Sequence, residues 1–124
     1  MAYLREAQTA LPLSKEAPRD ARRWLRSSGV VPLELDDLAA LLVSELVSNS
    51  VVHSGLAAPE TVSVRVAAFP GGIRVEVVDA GTGFSDLARR GDRSFGLRIV
   101  EQTSARWGHA EHPTRVWFEL TVPA

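Results

Sequence analysis

Glu45, Asn49 and His53 recur every fourth residue in ELVSNSVVHSG (45–55), at the end of a long apolar run. Positions i, i+4 and i+8 fall on one side of an α-helix and drift by about 40° per step. Leu42 and Leu46 occupy the adjacent stripe, so this polar line borders a core and does not lie opposite it. A carboxylate and an amide in such a place must be hydrogen-bonded or hydrated, because burying them unpaired costs on the order of 2–7 kcal/mol. The neutral amide oxygen of Asn49 suits Mg²⁺, and a nearby glutamate can polarise a hydroxyl or a water. Taken alone, the stretch reads better as a solvated helix flank than as a site.

Two further stretches carry chemistry of a different kind. In VVDAGTGF (77–84), Asp79 stands at the end of an apolar alternation and is followed by Gly81 and Gly83. Glycines at alternate positions permit positive φ and let a flat ligand approach the backbone closely. A carboxylate held there can accept a hydrogen bond from an exocyclic amine such as that of adenine. In SFGLRIV (94–100), Gly96 precedes a helical pattern whose free N–H groups and dipole make a ready anion site. Each has a plain alternative: D-x-G-x-G is a common tight turn, and a glycine often opens a helix. The order is what carries weight: polar helix, strand with D-x-G-x-G, loop, glycine at a helix start, closing strand.

The elements that must position these residues follow from periodicity. REAQTALPL (5–13) reads as a short strand ended by Pro12, and Ala17, Ala21, Trp24 and Leu25 recur at helical spacing in the next segment. Ser14 is the expected cap of that helix, Pro18 lies in its first turn, and Gly29 stops it. Leu35, Leu38, Leu42, Leu46 and Ser50 form one stripe of a central helix too long to be a strand. TVSVRVAAF (61–69) and IRVEVVDAG (73–81) alternate with period two around PGG, the pattern of an antiparallel hairpin. Residues 82–95 read as a long loop, 95–108 as a helix closed by Gly108, and TRVWFELTV (114–122) as a final strand. The expected class is α+β: a two-layer α/β sandwich with helices on one face of a mixed, mostly antiparallel sheet, in a single domain spanning 1–124.

Composition excludes several functions. Fourteen Lys and Arg against fifteen Asp and Glu leave a net charge of −1, so there is no electrostatic footprint for nucleic acid or an anionic membrane. The absence of cysteine removes thiolate nucleophiles and Cys-based zinc sites, and three scattered histidines make no metal cluster. No stretch approaches the roughly 20 apolar residues of a membrane span, and the N-terminus lacks the pattern of a signal peptide. The expected location is therefore cytoplasmic.

Together the three stretches resemble the GHKL ATPases, the superfamily that includes gyrase and histidine-kinase ATP-binding domains, over essentially residues 5–122. The chain is most similar to the stand-alone anti-sigma-factor serine/threonine kinases and to small actinobacterial histidine-kinase-like ATP-binding proteins. ELVSNSVVHS resembles the N-box, VEVVDAGTGF the G1 box and FGLRIV the G2 box. The resemblance implies the Bergerat ATP-binding fold with ATP and Mg²⁺ as ligands. It implies Asn49 as the Mg²⁺ ligand, Glu45 as general base and Asp79 as the partner of the adenine amine. Gly81, Gly83 and Phe84 belong by the same resemblance to the adenine pocket, and residues 84–95 to a lid over the phosphates. Gly96 and Leu97 would offer backbone N–H groups to the phosphates, and His53 and Arg93, with Arg89 and Arg90, would contact them through side chains.

Two positions depart from the family pattern. Ser94 stands where the G2 box commonly has its first glycine, which alters the hinge between lid and helix. Relatives often carry a threonine just before the aliphatic residue of the last strand, and here Arg115 occupies that place with Thr114 one residue earlier. A one-residue offset on a strand is expected to turn the Thr114 hydroxyl to the wrong face. Two functions follow from the resemblance. One is Mg-ATP-dependent phosphorylation of a regulatory partner, a sigma factor or an anti-anti-sigma (STAS-type) protein being the expected contact. The other is a non-catalytic module that sequesters such a regulator, with nucleotide only structural or absent. Relatives of this kind often form homodimers, and the first strand with the Trp24 helix offers a surface for one.

Overall fold

The computed structural model describes residues 3–81, 95–110 and 113–123. Five strands form one open sheet in the spatial order β1-β2-β3-β5-β4: β1 (Arg5–Pro12), β2 (Thr61–Phe69), β3 (Gly72–Asp79), β4 (Arg106–Ala110) and β5 (Thr114–Thr121). All four pairings are antiparallel. Helices α1 (Ala17–Ser27), α2 (Asp36–His53) and α3 (Phe95–Thr103) supply the second layer. The α+β two-layer arrangement expected from periodicity is thus the one observed.

Period-two alternation decides which side of the sheet the helices cover. Val62, Val64 and Val66 of β2, Ile73 and Val75 of β3, and Phe118 and Leu120 of β5 are all at most 1% exposed and share one face. Ala17, Ala21 and Leu25 of α1 meet that face at spacings of four, and Leu42, Val43, Leu46 and Val47 of α2 complete the core. A short 3-10 turn (Leu33–Leu35) leads into α2, whose first-turn Asp36 and Asp37 complement the helix dipole and also receive Arg26 at 2.5 and 3.2 Å. These bridges tie α1 to α2 at the surface, where each is worth at most about 1 kcal/mol.

The structure corrects two local expectations. Ser14 does not cap α1 with its hydroxyl: the N-cap is Glu16, and the Ser14 contribution is its carbonyl, which accepts the Ala17 N–H at 3.0 Å. The helix expected over 95–108 ends at Thr103, and Arg106–Ala110 is instead the edge strand β4. The apparent helical spacing of Ala105 and Arg106 is overridden by pairing: the Ala105 N–H bonds the Glu119 carbonyl at 2.9 Å, and Trp107 sits opposite Phe118. In β4 the half-buried Trp107 packs against the core, whereas a continued helix would have left the β5 ladder open on that side.

Candidate functional site

The polar seam of α2 spirals across the helix surface. Its 40° drift per step carries it from the solvent side, where Leu41 and Val52 are exposed at 42% and 66%, toward the core side marked by Leu46 and Ser50. Glu45 is half-buried near the outer edge of that arc, while Asn49 and His53 turn progressively inward. The consequence is a division of places along one seam. Asn49 and His53 line a cleft, and Glu45 stands just outside it, one turn earlier.

The cleft lies between α2 and the strand ends of the covered face. Leu46, Asn49, Ser50 and His53, with the C-cap Ser54, form one wall; Val77 and Asp79 of β3 and Thr114 and Val116 of β5 form the floor; Leu97 of α3 closes a side. It holds about 360 Å³ of empty space counted to its open mouth, but only about 20 Å³ of that admits the centre of a water molecule. It is therefore a narrow slot with mostly apolar walls.

Asp79 is the charged group at the bottom, only 5% exposed. One of its carboxylate oxygens accepts the Gly81 N–H at 2.8 Å. The Thr114 hydroxyl in turn donates to the Gly81 carbonyl, and Thr114 lies directly opposite Asp79 in the β3–β5 register. No cation pairs with Asp79 among the described residues. A buried carboxylate so placed keeps acceptor capacity beyond the single bond to Gly81, and that capacity suits an amine donor from a ligand.

Gly81 has a sharper reason than the one its spacing suggests. Its φ is not positive; a Cβ there would lie 2.2 Å from the Ser54 carbonyl oxygen, so only glycine lets the end of β3 seat against the C-cap of α2. That contact joins both walls of the cleft. Thr114 is likewise a correction. The hydroxyl faces into the cleft and Arg115 points to the opposite face, because the β5 register places residue 114, and not 115, beside Asp79.

Asn49 provides the test of fit for a bound nucleotide and its metal. Its Nδ2 is buried with no hydrogen-bond partner. An orphaned amide end costs about 1–3 kcal/mol, a cost relieved when a ligand meets it. With the amide in either orientation, it presents a phosphate-facing donor or a cation-facing oxygen in the cleft. No cluster of three or more acidic, His or Cys groups able to hold a metal occurs among the described residues.

Of the other residues singled out, Leu97 contributes an apolar wall at 3% exposure, and Gly96 lies in the first turn of α3. Gly83, Phe84 and Arg93, with Arg89, Arg90 and Ser94, lie outside the described residues. Ser50, Ser54, Val77 and Val116 are part of the cleft although their sequence context marks them only as core or cap positions. The strand-to-helix approach that recruits them is a long-range contact with no local signature.

No curated protein matches the chain. The histidine kinase-like ATPase domain family matches residues 9–115, which takes in α2 with its seam, the hairpin ending at Asp79, α3 and the start of β5. Domains of this family bind ATP, usually with Mg²⁺. The match spans well over half of the chain, and the chain belongs to the histidine kinase-like ATPase domain family.

Proposed function

We propose that this ATP-binding domain is a serine/threonine kinase of the anti-sigma-factor type, which uses Mg-ATP to phosphorylate a regulatory partner, an anti-anti-sigma (STAS-type) protein, and binds a sigma factor. The observation that carries the reading is the α2 seam. It sets an orphaned amide inside the cleft and a half-buried carboxylate, Glu45, one turn toward solvent, where a protein hydroxyl can reach it.

Asp79 orients the adenine through its free acceptor positions, and Val77, Val116, Leu46 and Leu97 exclude water from the ring. Asn49 would hold the metal through its amide oxygen. Mg²⁺, when bound, supplies neutralisation of charge on the phosphates. Glu45 accepts the proton of the incoming hydroxyl, a role that fits its position at the edge of the cleft and its lack of a charged partner among the described residues. Phosphoryl transfer depends mostly on positioning and charge neutralisation, so the chain's main task is to hold both reactants in line.

Calorimetric titration with ADP and ATP, with and without Mg²⁺, tests the reading. Asp79→Asn is expected to weaken nucleotide binding about tenfold or more, while Glu45→Ala spares binding and abolishes transfer to the partner. Absence of heat at millimolar nucleotide removes the proposal. Binding without transfer to any STAS-type protein would favour a sequestering module in which nucleotide only sets conformation.

A further inference from the structure

The side of the sheet facing away from the helices carries a hollow of its own. It is lined by Gln8, Ser63, Arg65, Glu76, Val78 and Arg115, and spans about 590 Å³ counted out into open solvent, of which about 300 Å³ admits the centre of a water molecule. That makes it far roomier than the slot on the covered face. Its origin is legible in the register. One cross-strand row runs Ala10, Ser63, Val78, Arg115, Ala110, with few large side chains besides Arg115, beside the bulkier row of Gln8, Arg65, Glu76 and Trp117.

The charges around the hollow do not cancel. Arg65 is paired with Glu6 and lies over the Tyr3 ring. Arg74 takes both Glu76 at 2.9 Å and Glu119 at 3.1 Å, and Arg106 reaches Glu119 at 3.6 Å. Arg115 has no carboxylate partner among the described residues. Arg65 engages Glu6 through one nitrogen only, so most of its five donors remain for another acceptor. The two arginines stand two strand spacings across and two residues along, about 12 Å between Cα atoms, a gap that side chains leaning inward can close on one anion. The amide of Gln8 and the hydroxyl of Ser63 add neutral donors at the same rim. Glu76, the one carboxylate there, is already held by Arg74.

We propose that this hollow is a second binding site, separate from the nucleotide cleft, which takes a carboxylate or phosphate group between Arg65 and Arg115. Guanidinium forks match either anion in bidentate fashion, so the two ligand classes share one recognition chemistry.

Amide chemical shifts recorded during titration with sodium phosphate and, separately, sodium glutarate, at ionic strength matched with sodium chloride, test the proposal. The expected result is saturable movement of the Ser63, Arg65, Val78 and Arg115 amides with at least one anion below about 50 mM, and the anion that saturates first identifies the class. Arg115→Gln and Arg65→Gln are each expected to weaken that response about tenfold, while Arg23→Gln, an exposed change on α1, leaves it intact. ADP binding is expected to stay unchanged in Arg115→Gln, which separates this site from the nucleotide reading. No saturable movement, a response in both hollow variants as strong as the parent's, or movement confined to Asn49 and His53 in the cleft would overturn it.

Discussion

Thr114 and Arg115 are neighbours in the chain and serve opposite sides of the sheet. On the covered side, Thr114 joins Asp79 and Gly81 in a hydrogen-bonded turn set among fully buried aliphatic residues. On the open side, Arg115 lines a hollow beside a lattice of arginines and glutamates around Trp117, in which Arg74 lies 3.9 Å from the indole centroid and Arg106 5.8 Å. The difference is one of determination. Apolar burial contributes about 25 cal/mol per Å² and fixes side chains in dense packing, whereas exposed ion pairs contribute about 0–1 kcal/mol each and leave side chains adaptable. The proposed nucleotide pocket, which needs fixed walls around a ring, accordingly sits on the covered side. A site that only has to meet an anion can sit on the open one.

The largest test of that contrast is at adjacent β5 residues. Phe118→Ala, in the core, is expected to lower unfolding free energy by about 3–5 kcal/mol, and Trp117→Ala on the open face by only about 1 kcal/mol, as read by urea denaturation. Equal losses would mean that the open face carries as much of the fold as the core. Next is Gly81→Ala: the new methyl meets the Ser54 carbonyl, so a loss of about 1–3 kcal/mol should accompany a weaker ADP isotherm. An unaffected isotherm would show that the β3–α2 seating does not shape the cleft.

Thr114→Val sharpens the comparison further. Removing the hydroxyl that anchors the Gly81 carbonyl should cost about 1 kcal/mol and weaken ADP binding several-fold, with Thr114→Ser restoring both. If Thr114→Val binds ADP as tightly as the parent, the turn does not position Asp79. The smallest effect concerns pH. Burial works against the Arg74 charge, but the hydrogen bonds that its guanidinium donates to Glu76 and Glu119 outweigh it and raise the pKa above the ordinary arginine value. A group with a raised folded pKa contributes fully below its unfolded value and loses that contribution only as pH climbs through the folded one. The stability difference between the parent and Arg74→Gln should accordingly stay level from about pH 6 to about pH 9, and a slope there would assign the Arg74 interactions to another titrating group.

Much of this was legible before any coordinates. The hairpin of β2 and β3, the buried stripe of α2 and the first strand up to Pro12 all follow from apolar periodicity. The candidacy of Glu45, Asn49 and Asp79 rests instead on the order of the three motif stretches and the family resemblance they carry, because the seam by itself reads as a solvated helix flank. Two things were hidden. The helical spacing through Arg106 conceals β4, because an edge strand of five residues has too few alternations to outvote a preceding helix. The face of Thr114 is equally hidden, because inward and outward on a strand depend on where β3 pairs with β5, and that register is set across 34 residues of intervening chain.

The order of elements, the polar seam and the glycine after Asp79 are local properties, determined by side-chain type at helix or strand period. Three features were decided only when the chain closed on itself. They are the division of the seam into Asn49 and His53 inside and Glu45 outside, the need for glycine at 81, and the assignment of Thr114 to the cleft and Arg115 to the open face. Each depends on distances between residues far apart in sequence, which tertiary packing and strand register set and which no local period encodes.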